Sequence, residues 1–109
     1  EGLKDVMSIR CHNPPAPLRP NYSYFPIFVE DSYPVTRDQL YEKLKAHNIY
    51  VRRYFSPLAS DFLVLRRDIS KKNQTHPQAT SATKSVICLP MNAGISEKNI
   101  KLIIKFLKK

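Results

Sequence analysis

The chain predicts an α+β fold of two layers, a small and mainly antiparallel sheet with helices packed on one face. Three observations lead there. Two segments, opening at Thr36 and Ser96, combine a helix-start residue with apolar positions at helical spacing. Three short stretches rich in β-branched and aromatic residues end at prolines or turn residues. None of these pieces can bury its apolar side alone, and a sheet covered by helices is the simplest arrangement that buries them all. A length of 109 residues suits one domain.

Residues 1–10 carry Leu3, Val6 and Met7 at helical spacing with no capping residue ahead, which predicts the end of a helix that begins earlier. Pro14, Pro15, Pro17 and Pro20 then forbid helix and favour an extended connector. The expected division is a helix end and linker over 1–20 and a small domain over 21–109. Residues 22–29 read as a strand in which Pro26, lacking an N–H, demands an edge or a bulge. Thr36 opens a helix with Gln39 completing a capping box, Leu40 and Leu44 on one face, and Asn48 as a left-handed cap at its end.

Residues 49–55 alternate as a second strand, Ile49, Val51, Arg53 and Phe55 against Tyr50, Arg52 and Tyr54, up to Pro57. Leu63, Val64 and Leu65 suggest a short strand inside a basic and polar loop. A short helix is expected over 77–85, with Pro77 at its first position and Ala79 and Ala82 inward. Residues 86–89 form a brief apolar strand closed by Pro90. The last helix follows Ser96, with Ile100, Ile103, Ile104 and Leu107 inward and Lys98, Lys101, Lys105 and Lys108 in solvent.

Hydrophobic residues at 42% and charged residues at 25% exclude wholesale disorder. No apolar run approaches the roughly 20 residues of a membrane helix, and the charged start lacks the apolar core of a signal peptide. Cys11 and Cys88 are too few for a disulfide framework and fit reduced thiols in a cytoplasm. The net charge of +9 admits a nucleic-acid partner or a solvated basic face, and the lysines of the last helix favour the second.

His12, His47 and His76 have no metal-ligand spacing. Two glycines cannot build a phosphate loop, and nothing resembles a nucleophile elbow. The chemistry-bearing segment is 51–58, where Arg52, Arg53, Tyr54 and Phe55 meet as a strand ends. An arginine on a core face is costly unless it meets an anion. One reading leaves one arginine exposed and pairs the other with a local acid such as Asp61; the other reading gives an arginine to a ligand.

Taken in order, Asn21-Tyr22-Ser23-Tyr24-Phe25-Pro26-Ile27, the helix from Thr36, Arg52-Arg53-Tyr54-Phe55-Ser56-Pro57-Leu58 with Ser60-Asp61-Phe62, Ile87-Cys88-Leu89-Pro90 and the final amphipathic helix resemble the C-terminal part of the DegT/DnrJ/StrS family. These are pyridoxal-phosphate (PLP) sugar aminotransferases of the aspartate-aminotransferase fold. The arginine-tyrosine and Cys-Leu-Pro elements resemble most the members that aminate dTDP-4-keto-6-deoxyglucose to the 4-amino sugar. Met91-Asn92-Ala93-Gly94 and Phe62-Leu63-Val64-Leu65 depart from the usual family pattern, so loop contacts to the sugar do not carry over.

The resemblance implies a complete protein that binds PLP, takes an amino group from glutamate and passes it to a keto-deoxy-sugar nucleotide, as a homodimer with a large N-terminal domain. It implies that the cofactor-binding lysine, the phosphate contacts and the acid at the pyridine nitrogen lie upstream, so that this stretch alone holds no cofactor and is inactive. It assigns substrate contact to Arg53 and Tyr54, with Arg52 and, on the neighbouring strand, Tyr24. Alternation sends Arg52 and Arg53 to opposite faces, with Tyr54 on the Arg52 side unless a bulge intervenes; the strand's end at Pro57 makes Arg53 the expected cleft residue and Arg52 the better candidate for a structural ion pair. The rival class is a small basic RNA-binding module, against which stand the missing aromatic-basic recognition run and the proline in its platform strand.

Overall fold

Four strands and three α-helices form in a computed structural model that describes residues 2–54, 57–62 and 76–108. In chain order they are β1 (Ile9–Cys11), β2 (Phe25–Val29), α1 (Arg37–Ala46), β3 (Arg52–Arg53), a 3-10 turn (Ala59–Asp61), α2 (Pro77–Ser85), β4 (Val86–Leu89) and α3 (Glu97–Leu107). The strands make one antiparallel sheet in the order β1-β2-β4-β3.

Alternation along the strands sorts the side chains. Ile9 pairs with Val29, Ile27 with Ile87, and Ile87 with Arg53, so these residues share one face. That face meets Leu40 and Leu44 of α1 and Ile103 and Leu107 of α3 in a single buried cluster. Val86 and Cys88 are also buried but stand on the opposite face by the same alternation. The α+β architecture, with α1 and α3 on one face, is therefore the one expected.

The helix signals act as written. The Thr36 hydroxyl accepts from the Gln39 N–H, and the Gln39 side chain accepts from the Thr36 N–H at 2.9 Å. At the other end Asn48 takes φ 59°, the Asn48 N–H donates to the Lys45 carbonyl and the Ile49 N–H to the Leu44 carbonyl. This is the paired closure that a left-handed cap residue allows. Ser96 caps α3 by accepting from the Asn99 N–H. The Tyr33 hydroxyl donates to the Leu107 carbonyl at 3.1 Å, satisfying a buried group at the end of α3.

Several expectations are corrected. Residues 2–8 are turns and β1 follows, rather than the end of a helix. Ser8 at φ 67° breaks the helical path, and Met7 is 87% exposed while Leu3 and Val6 are buried, so the three do not share a face. The segment instead lies on α3: a Cβ at Gly2 would fall 2.5 Å from Ile104 Cδ1. Strand β2 begins at Phe25 because Tyr22 has φ 56° and the Ser23 N–H is held by the Asn21 side chain. Pro26 pairs with Cys88 of β4, while β1 ends opposite Ile27. The proline thus sits where β2 is locally an edge, as its missing donor requires.

Strand β3 is only two residues long; Ile49 serves the closure of α1, and Phe55 lies outside the described residues. The suggested strand over 63–65 lies outside them too. Ala82 is half-buried but Ala79 is exposed. On α3, Ile103 and Leu107 are buried and Ile104 half-buried, but Ile100 is 43% exposed. The four lysines of that stripe are in solvent.

Candidate functional site

Consecutive residues in a strand point to opposite faces, so the two residues of β3 send their guanidinium groups apart. Arg53 follows buried Val51 toward α1. Its Nη1 lies 3.2 Å from Asp38 Oδ1, and its Cζ stands 4.7 Å over the Tyr41 ring. The same Asp38 oxygen is 3.2 Å from Arg37 Nε. The Arg37 side chain is 11% exposed, and its Nε and Nη1 have no hydrogen-bond partner. Its approach to Asp38 is thus an ion pair without hydrogen-bond alignment.

Arg52 occupies the other face, paired in register with Cys88. It is exposed, and among the described residues it makes no ion pair. Tyr54, next on that face, is half-buried, and its ring meets that of Tyr24 at 5.6 Å between centroids and 43° between planes. Burial pushes the Cys88 thiol up, with the Arg52 charge partly opposing it. Burial raises the Tyr54 phenol as well, helped by Cys88 and Tyr24. Arg52, Cys88, Tyr54 and Tyr24 therefore feel one another as one patch.

The structure brings Arg52, Tyr54 and Tyr24 together and turns Arg53 away from them. A structural ion pair is expected of Arg52, and a local acid such as Asp61 is the expected partner for whichever arginine pairs; the pair that forms is Arg53 with Asp38. Reasoning from the sequence missed Asp38 and Tyr41. The signal was present, since a capping box at Thr36 fixes Asp38 in the first turn of α1, the turn that ends up beside β3.

Two hollows flank this region and the opposite end of the sheet. One, of about 440 Å³, is lined by Tyr41, Val51, Arg52 and Arg53. The other is a largely apolar groove of about 650 Å³ with Leu3, Phe25, Leu89, Ile100 and Ile104 in its walls. Among the described residues Lys4 is its one lysine, and no carboxylate lines it. A PLP ring needs an amine and an acid for its pyridine nitrogen in one enclosed place, so these residues do not fit that cofactor. Among the described residues no cluster of His, Cys, Asp or Glu suits a metal ion, and no helix is long and apolar enough to cross a membrane.

Solved structures that follow the same chain path are aminotransferases. DesI in the presence of its TDP-sugar product superposes with a TM-score of 0.81 at 22% identity, over 98% of this chain and 27% of that one. A DegT DnrJ EryC1 StrS aminotransferase from Brucella abortus does so with a TM-score of 0.77 at 23% identity, over 98% and 26%. The fold is therefore that of one portion of a PLP-fold-type aminotransferase. The chain belongs to the DegT/DnrJ/EryC1/StrS aminotransferase family, whose family model matches residues 1–108. It is 42% identical over 87 residues to a dTDP-4-amino-4,6-dideoxy-D-glucose transaminase of Escherichia coli, covering 80% of this chain and 24% of that protein. It is 36% identical over 111 aligned positions to the transaminase of the same name from Shigella dysenteriae, covering 99% and 29%. The chain thus spans less than a third of the length of these relatives.

Proposed function

We propose that this chain is the C-terminal small domain of a PLP-dependent nucleotide-sugar aminotransferase. The complete protein transfers an amino group from glutamate to a keto-deoxy-sugar nucleotide, with dTDP-4-keto-6-deoxyglucose as the acceptor. The observation that carries this is the 42% identity to a dTDP-4-amino-4,6-dideoxy-D-glucose transaminase, with a family match along nearly the whole chain. The lysine that holds PLP, its acid partner and its phosphate contacts belong to a large domain preceding these residues. The complete protein works in the cytoplasm as a homodimer, and the 109 residues alone are inactive.

In this reading the small domain helps to close the substrate cleft. Arg52, Arg53, Tyr54 and Tyr24 form its substrate-facing set. Arginine suits that place because its planar fork matches phosphate or carboxylate oxygens. Ligand sites preferentially lie between domains. The family match over residues 1–108 favours this reading over the RNA-binding alternative.

Borohydride reduction of the complete polypeptide in the presence of PLP, followed by peptide mass mapping, tests the assignment. One labelled lysine is expected, outside these 109 residues. Stoichiometric labelling of a lysine within them contradicts the reading.

A further inference from the structure

We propose that Arg37 is a docking residue. Its buried guanidinium takes the carboxylate of an aspartate or glutamate from the part of the complete polypeptide that lies outside these 109 residues. This rests on the reading of the chain as one domain of a longer aminotransferase.

Helical spacing places Arg37 in the apolar stripe of α1. Leu40 and Leu44 follow it at i+3 and i+7, and both are fully buried. Arg37 is the first residue of α1, so its cation stands where that stripe leaves the core. The side chain is 11% exposed, and Nε and Nη1 are buried with no hydrogen-bond partner. Nε carries one N–H and Nη1 two, and a guanidinium sheds no proton in a protein. Burying such a charge without an acceptor is costly. The orphaned donors therefore point to an acceptor that closes on them.

The neighbourhood selects an anion. Asp38 is the carboxylate beside Arg37, but the same Asp38 oxygen also serves Arg53, and Asp38 is 63% exposed. Two guanidinium groups thus share one carboxylate, and the cluster keeps an excess of positive charge. The positive end of the α1 dipole adds to it. A second carboxylate neutralises that excess, and its two oxygens match the planar donors of arginine. The chain covers 24% and 29% of the two transaminases it matches, so most of the length of such a protein lies outside it. A free anion at the narrow open edge of Arg37 gives up its own freedom for one cation. A carboxylate fixed on a surface that packs there has already lost that freedom with the packing.

The test uses the complete polypeptide purified with PLP. In Arg37→Lys, carbodiimide is expected to join the amine at position 37 to a carboxylate outside the 109 residues, identified by peptide mass mapping. Arg37→Met removes the charge and keeps the stem. The partner carboxylate is then left unpaired, so the thermal midpoint is expected to fall by about 2 °C or more, with KM for glutamate within about threefold of the parent. An Arg37 without a partner gives the opposite sign, because the substitution then removes an unsatisfied charge and the midpoint holds or rises. That result overturns the proposal, as does a cross-link that reaches only Asp38 or no carboxylate at all. A parent midpoint that rises with inorganic phosphate, where that of Arg37→Met does not, overturns it in favour of a free anion. A raised KM for glutamate overturns it in favour of the amino donor. Should Arg37→Met fail to fold, the cross-link decides alone. An active, PLP-loaded polypeptide without the cross-link sinks this proposal and leaves the aminotransferase reading standing. A cross-linked polypeptide that holds no PLP does the reverse.

Discussion

Arg53 Nη1 and Asp38 Oδ1 stand 3.2 Å apart, and this contact ties the shortest strand of the sheet to the first turn of α1. Both side chains are about half exposed, so solvent screens the pair and its worth is modest. A double-mutant cycle of Arg53→Ala and Asp38→Ala, read by denaturant unfolding, is expected to give a coupling of about 0.2–1 kcal/mol that shrinks in high salt. A salt-insensitive coupling above about 2 kcal/mol contradicts this view of the contact.

On α3 the stripe divides within one turn. Ile103 is 7% exposed and Ile100 43%. Ile103→Ala is expected to cost about 2–5 kcal/mol, and Ile100→Ala about 1 kcal/mol or less. Lys105→Ala is expected to fall within about 0.5 kcal/mol of zero. Equal losses at 100 and 103 contradict the packing described. In a longer polypeptide, a large loss at Ile100 alone means that the apolar groove beside it is filled by another segment.

Asn48 closes α1 with φ 59°. A branched side chain meets the following carbonyl there, at about 1–2 kcal/mol. Asn48→Val is expected to lower stability by that amount, and Asn48→Gly to leave it unchanged or slightly higher. Thermal melts of both variants decide it. A destabilised Asn48→Gly means that the asparagine side chain, rather than its backbone conformation, is what matters.

The two thiols differ in access. Cys88 is 4% exposed and burial holds its thiol above the ordinary value of 9.0, whereas Cys11 is half-buried. Only thiolates alkylate readily, so iodoacetamide at pH 8 is expected to label Cys11 first, with Cys88 reacting once the protein unfolds. The phenols of Tyr33 and Tyr54 are likewise raised above 10.0 by burial. For all three groups the unfolded chain loses its proton at a lower pH than the folded one. Their contribution to stability is whole below pH 9 and is lost as the pH rises through the raised values. Denaturant midpoints are expected to be flat below pH 9 in this respect and to fall above it. Faster labelling of Cys88 than of Cys11 contradicts the burial described.

What the sequence made legible is what depends on local chemistry. The capping box at Thr36, the left-handed Asn48, Pro77 at the start of α2 and the Ser96 cap each act within four residues, and each forms as written. Pro26 also announced its own place, because a missing donor restricts a strand wherever it lies. The misreadings arise where tertiary pairing decides. Leu3, Val6 and Met7 have helical spacing, yet β1 follows directly after them because β2 offers it a partner 16–20 residues away. Ile100 has the right period for the core but lies at the rim of a groove. The faces of Arg52 and Arg53 were readable as opposite, but which face met α1 depended on Asp38 and Tyr41, from another element.

Amino transfer by the complete polypeptide tests the central claim most directly. Purified with PLP, given glutamate and dTDP-4-keto-6-deoxyglucose, it is expected to yield 2-oxoglutarate and the 4-amino sugar nucleotide in equal amounts, detected by mass and by coupled assay. The 109 residues alone are expected to yield neither product. Turnover by the 109 residues alone, or a folded and PLP-loaded complete polypeptide that transfers no amino group to any keto-sugar nucleotide, contradicts the account.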